Sequence, residues 1–530
     1  MSSSAEAARE ASRAMVPSTV SRLLSRWGRA GWLLAAAALM LAPLGALALD
    51  LARVPVAEWG GLALPSGGQL LLLGRSVALS LGTALGATLI GTAVAMLLWS
   101  ARSQARLALS WMLLAFVAVP PYIHALAWSS TWPLAGWPAV LWVQWAWFSP
   151  LAVALTLAGL DALEPESFDA ARLCTSPWRA FVAVVLPSTS PYVLAAFALS
   201  FAVSLIDFTV PSLLHVDVYA LDLFAELGAS GAPGRVVWMS TPLVLIAAAS
   251  ALLLRRALRA TGRPRIDRTR RRAPVSWPWW LRILQGAAAT VLLAGLTVPV
   301  VALASMAGSA PSGWAALELG RRELGTTALV ATLAAIGSLL VARPWAWELR
   351  RVGTRGTLAW SLLAIPLVLP PSIVGVGLIG AFNHSATEWL YQSRLIVAVA
   401  CVVRFAPCAA LTLWAAQRQR DPALLDAMRV HQRSSWHGWL RVGFGIELAG
   451  WLAGGALVFA LSVGELGASL LVAPPGHATL TMRLYNYLHS GAAQSVASTC
   501  LTMWALAVGA GAVAFGTLRW LARGWRNDEP

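Results

Sequence analysis

Stretches of about twenty apolar residues recur along this chain, and the short segments between them hold most of its charge. A helix of about 20 residues, rising about 1.5 Å per residue, covers a hydrocarbon core about 30 Å thick. Spanning barrels require shorter segments of alternating polarity, which are not found. The pattern predicts an all-α, polytopic membrane protein with about twelve transmembrane helices. The expected spans are 31–49, 76–99, 107–128, 139–160, 190–212, 236–254, 283–305, 324–342, 357–381, 395–416, 447–472 and 496–518. The first run could pass for a signal peptide, but removing it would break the charge alternation that follows, so it is taken as a span.

All 39 basic residues are arginine, and lysine is absent. Without lysine, neither a Walker A phosphate loop nor a lysine Schiff base is available. A net charge of +16 could indicate nucleic acid. Here the arginines sit in short loops on alternate sides, which is a topology signal. One side carries the N-terminal tail, Arg102, Arg106, Arg172, Arg179, the run from Arg255 to Arg282, Arg343 to Arg355, Arg418 to Arg441 and the C-terminal tail. The other side carries Arg53, Arg75, Arg235, Arg321, Arg322, Arg394 and Arg483. The expectation is that both termini are cytoplasmic. Arg404 falls inside a span, where it should snorkel or pair with an acid.

Cys174, Cys401, Cys408 and Cys500 form no CxxC pair and read as small apolar residues. Many of the 28 tryptophans stand near span ends, as in WPWW (Trp277 to Trp280), where rings anchor at the headgroups. The arginine-rich stretch 255–282 reads as a cytoplasmic linker, or as a contact for anionic lipid or protein. It separates a first half, 31–254, from a second, 283–518, with cytoplasmic tails at 1–30 and 519–530.

The halves repeat one another. DAARLCTSPWRAFVAVVLP begins at Asp169, and LDAMRVHQRSSWHGWLRVGFG sets Asp426, Ala427, Met428 and Arg429 opposite Asp169, Ala170, Ala171 and Arg172. WFSP ends at Pro150 and RFAP at Pro407, each nineteen residues before its aspartate. Pro120 and Pro121 answer Pro370 and Pro371. ALSFAVSLIDFTVPSLL answers ALVFALSVGELGASLL, which aligns Asp207 with Glu465. Six spans per half make these parallel repeats.

Four features invite functional readings. The double prolines should break their spans, either beside a pathway or simply as bends that aid packing. Asp207 and Glu465 could form an acidic pair drawing a cation, or could bond nearby backbone at helix ends. His477, Tyr485, Tyr487 and His489 lack metal-ligand spacing, and their loop reads better as a contact for a separate protein. The repeated charged segments, each between the fourth and fifth span of its half, leave an apolar face to meet a partner or the lipid headgroups.

These segments resemble the coupling loop of ABC-type importer permeases, in Asp169, Ala170, Ala171, Leu186 and Pro187. Thr175 stands nearest the position of the family glycine. In the second copy Met428, Gln432 and Phe444-Gly445 depart from the family pattern. PPYIHALAW, DFTVPSLL and GELGASLLVAPPGHATLTMRLYNYLHSGA further resemble the fused permeases of ferric-iron importers. Permeases for thiamine, phosphonates or polyamines are similar. The resemblance implies a permease subunit without catalytic residues, metal site or cofactor. It implies two copies of an ABC ATPase gripping both coupling segments, an extracytoplasmic substrate-binding protein, and placement in the bacterial inner membrane. An ATP-independent secondary transporter also has two parallel six-span halves, but SARSQARLA between the second and third spans lacks the charged signature expected there.

Overall fold

The apolar runs become long helices because a backbone in hydrocarbon must satisfy its own hydrogen bonds. The computed structural model describes residues 19–57, 66–100, 119–132, 135–163, 165–261, 277–308, 318, 320–418, 444–490 and 493–527. Among them there is no strand. In chain order the helices of the first half are α1 (Thr19–Arg53), α2 (Gly67–Ser100), α3 (Pro121–Thr131), α4 (Gly136–Asp161), α5 (Pro165–Cys174), α6 (Pro177–Ala180), α7 (Leu186–Ile206), α8 (Thr209–Leu213), α9 (Tyr219–Ser230), α10 (Pro233–Met239) and α11 (Thr241–Ala260). The second half contributes α12 (Trp279–Ala307), α13 (Arg321–Leu349), α14 (Thr354–Val368), α15 (Pro371–Phe382), α16 (Glu388–Tyr391), α17 (Leu395–Arg418), α18 (Phe444–Val463), α19 (Ser469–Val472), α20 (Leu480–Ser490) and α21 (Ala493–Asn527).

Nine described helices are long and apolar enough to cross a membrane, or ten if α14 and α15 form one bent span. That pair turns by 103° at Pro370-Pro371, as two consecutive residues without an N–H donor require. The expected span 107–128 lies largely outside the described residues. Two spans end earlier than the sequence suggested. The run 190–212 ends as helix at Ile206, and 447–472 ends at Val463. Apolar residues continue past both points, so hydropathy alone could not place the ends.

Packing repeats between the halves. In the first, α2, α4 and α7 contact one another and α7 packs on α11. In the second, α13, α17 and α18 contact one another and α18 packs on α21. The leading helix of each half crosses to the other. α1 packs along α15 and α13, burying Ala36, Met40 and Leu47 in the core of the second half. Reciprocally, α12 packs on α2 and α3. Its Leu281, Leu292 and Leu296 join a core with α2 and α4, and its Ala302 and Leu303 pack with Tyr122 and Ile123 of α3. Contiguous halves of sequence therefore interlock in space.

Arg343, expected in a cytoplasmic loop, is a correction. It lies within α13, with its side chain 2% exposed, and pairs at 3.0 Å with Glu447 of α18, equally buried. Trp277 also departs from the headgroup reading, being 5% exposed inside the first-half core. Its neighbours Trp279 and Trp280 remain exposed.

Candidate functional site

The segment from Asp169 to Pro187 is local helix with a defect. Pro187 cannot donate into the helix, and the turn before it opens into a π-helix over Phe181–Val185, with the Leu186 N–H bonding the Phe181 carbonyl. A lost donor inside a helix is a recognised cause of such bulges. α6, the π turn and α7 then run on as one apolar element, Trp178–Ile206.

An aromatic cluster anchors this segment. Trp178 stacks on Phe181 at 5.6 Å and meets Trp280 edge-on at 5.3 Å. Phe181 meets Trp277 at 4.9 Å, and Phe168 of α5 lies 5.8 Å from Trp99 at the end of α2. The segment therefore rests on the start of α12, which belongs to the second half of the sequence. Its other face is open. Ala170, Leu173, Cys174 and Arg179 are exposed, and Leu173 reaches 90%. Ala171 is half-buried, Arg172 sits over the Phe168 ring at 5.7 Å, and Leu186 and Pro187 are exposed. The side chain of Asp169 and the whole second copy, Asp426, Ala427, Met428 and Arg429, lie outside what the structure describes.

A second cluster forms where the helices break. Both acids accept from a backbone N–H at the start of the short helix that follows them. Asp207 Oδ1 accepts from the Thr209 N–H at 2.9 Å and from its hydroxyl at 2.6 Å, ahead of α8. Glu465 Oε1 accepts from the Ala468 N–H at 2.8 Å, ahead of α19. An acid at a helix start satisfies donors that have no intrahelical partner.

The remaining oxygens are held differently in the two halves. Arg404 of α17 pairs with Glu465. Asp207 Oδ2 accepts from the Gln144 amide at 3.4 Å. Gln144 is itself fixed by Thr83 at 2.5 Å and Ser204 at 2.9 Å, both donating to its carbonyl oxygen. Gln144 stands six residues before Pro150, where the second half has Cys401. Trp147 occupies the position of Arg404, and its indole donates at 2.6 Å to the Val119 carbonyl beside Pro120. Repeated acids are thus met by a neutral amide in one half and by a cation in the other.

The double prolines reach this cluster through glycine. A Cβ on Gly464 would lie 2.2 Å from Pro120, and one on Gly467 would lie 2.5 Å from Pro371. Phe208, next to Asp207, also borders Gly467. Pro120, Pro371, Asp207 and Glu465 therefore come together at a junction of the two halves, while Pro121 and Pro370 flank the same breaks. α3 packs on α8 as α15 packs on α19. Sequence reasoning identified the prolines, both acids and Arg404. It missed Gln144, whose only signal was an amide within a span, and the pair Arg343–Glu447.

Around His477, Tyr485 and Tyr487 no group of three His, Cys, Asp or Glu stands together among the described residues. His477 Nδ1 lies 3.2 Å from Arg394 Nε, and the Arg483 guanidinium bonds the Tyr487 hydroxyl at 2.8 Å. The side chain of His489 lies outside the described residues. The four cysteines are free thiols, with Cys401 and Cys500 buried.

The profile of the binding-protein-dependent transport system inner membrane components matches residues 87–254. A putative molybdenum transport system permease protein of Bacillus subtilis, YvgM, is 31% identical over 160 residues, which are 28% of this chain and 70% of that relative. The molybdenum transport system permease protein ModB of Escherichia coli K12 is 29% identical over 210 residues, 37% of this chain and 90% of ModB. The molybdate/tungstate permease WtpB of Thermococcus kodakarensis is 26% identical over 199 residues, 36% and 75% of the two chains.

Proposed function

This chain belongs to the binding-protein-dependent transport system inner-membrane components, the permeases of ABC importers, and from that premise we propose that it supplies both permease halves of one importer. In this reading residues 31–254 and 283–518 are the two halves, joined by the linker 255–282. Both termini lie in the cytoplasm of a bacterial cell. Two copies of an ABC ATPase dock from the arginine-rich side, and an extracytoplasmic binding protein delivers substrate opposite.

The observation that carries the docking is the open face of α5. Phe168 and Trp178 are tied into the aromatic cluster, while Ala170 and Leu173 are left uncovered. An exposed apolar patch bordered by Arg172 and Arg179 fits a protein contact. Closure of the ATPase pair then displaces α5, and the displacement passes through Trp178 and Trp277 into α7 and α12. Alternating access follows as a nucleotide-driven shift between two packed states, with no bond chemistry in this chain.

For the substrate we propose a tetrahedral oxyanion of the molybdate or tungstate class, as the names of the relatives suggest. Ferric iron, implied by the resemblance of the GELGASLL region, has no support among those relatives. The state of the acids agrees with this choice. Glu465 is paired with Arg404, and Asp207 is committed to Thr209 and Gln144.

Two measurements test the proposal. Purified gently in detergent, the chain should bring down an ATPase at two copies per permease; none at all would defeat the importer assignment. In cells expressing the whole system, labelled molybdate should accumulate and labelled ferric iron should not. The opposite result would restore iron.

A further inference from the structure

The arginine-rich end of α13 borders an open cavity of about 970 Å³ that the transport mechanism does not use. It lies between α1, α13 and α14. Leu33 and Leu34 of α1 and Leu358 and Leu362 of α14 line its apolar walls. Arg350, Arg351 and Arg355 line its rim, with Glu348 the acid among them. Glu348 is bonded to Arg351 at 2.9 Å, so among the described lining residues arginines outnumber acids three to one.

Geometry and chemistry select one class of occupant. The apolar walls belong to helices long enough to span the bilayer, Ala30–Arg53 and Arg321–Leu349. The arginines sit where α13 ends and α14 begins, which is headgroup depth. Leu34 and Leu358 are exposed at 70% and 59%, which is favourable against acyl chains and costly against water. The N-terminal segment ahead of α1 balances Arg9 and Arg13 with Glu6 and Glu10, so it brings no net negative charge to the arginine rim. Basic pockets between transmembrane helices on the cytoplasmic side take acidic lipid headgroups.

We propose that this cavity is a binding site for an anionic glycerophospholipid of the arginine-rich leaflet. The phosphate and acidic headgroup lie against Arg350 and Arg355, and an acyl chain lies along Leu34 and Leu358. Because α1 comes from the first half and α13 and α14 from the second, the lipid seals a seam between them.

The test is native mass spectrometry of the full-length chain in detergent, titrated separately with phosphatidylglycerol, phosphatidylcholine and glycerol 3-phosphate. Phosphatidylglycerol should be retained at least tenfold more strongly than phosphatidylcholine, and glycerol 3-phosphate should not compete. At about 1 kcal/mol per arginine, R350Q/R355Q should weaken retention about thirtyfold. L34W/L358W, which fills the groove and leaves every charge in place, should weaken it as well. Both pairs are exposed and should leave folding intact. Equal retention of the two lipids would overturn the site. So would unchanged retention in L34W/L358W, which would indicate only general surface attraction. Competition by glycerol 3-phosphate would make it a free-phosphate site and overturn the lipid proposal.

Discussion

Arg404 of α17 forms an ion pair with Glu465, which lies in the link between the end of α18 at Val463 and the start of α19 at Ser469. Their exposures are 15% and 4%, so both charges are largely withdrawn from water. Glu465 also accepts from the Ala468 N–H just ahead of α19. One residue thus pairs with a buried cation and holds a backbone N–H, in a segment pressed against Pro120 and Pro371.

Removing one member of this pair strands the other. Arg404→Leu should destabilise the protein by about 3–5 kcal/mol, the usual cost of leaving a buried charge uncompensated. Arg404→Leu with Glu465→Gln should recover most of the loss, since glutamine keeps the oxygen that accepts from Ala468. Thermal unfolding in detergent reads both variants, and a double variant as unstable as the single would count against the pairing. The more deeply buried Arg343–Glu447 pair should respond in the same direction.

Gly464 should not tolerate a side chain. Its Cβ would stand 2.2 Å from the Pro120 ring, and overpacking costs about 1–3 kcal/mol. Gly464→Ala should therefore lower the melting temperature and slow uptake. Gly228→Ala, with nothing within 4 Å and within the helix α9, is the control and should be neutral or mildly stabilising.

Gln144 ties α2, α4 and α7 together through Thr83, Ser204 and Asp207. Gln144→Leu leaves two hydroxyls and a carboxylate short of partners, at about 1–3 kcal/mol each. Chemical denaturation should show a larger loss than Thr83→Val alone, which removes one of the donors.

If α5 is the ATPase contact, Ala170→Glu with Ala171→Glu should abolish uptake and uncouple the ATPase. Membrane insertion should stay intact, and Ala170→Glu alone, at an exposed position, should leave thermal stability within experimental error of wild type. Normal uptake in the double variant would refute the contact.

Much of the site is legible in the sequence because its signals are local. The double prolines are visible as residues lacking a donor, and Pro370-Pro371 produces the 103° bend. Asp207 and Glu465 stand out as acids in apolar runs, and the repeat aligns them. Their sequence context is compatible both with drawing a cation and with bonding backbone. The structure shows the backbone bonds and adds two different partners, Gln144 and Arg404. Gln144 carries little signal because its counterpart, Cys401, is apolar in character.

The amino-acid sequence alone determined that this chain forms apolar helices, that its halves are related, and where proline breaks them. Hydrocarbon solvent makes those outcomes follow from composition over about twenty residues. Only the tertiary structure decided that α1 and α12 exchange halves, that Arg343 is buried against Glu447, and that the helices end at Ile206 and Val463. Those outcomes depend on which side chains meet across long separations in the chain, and helical periodicity is blind to that.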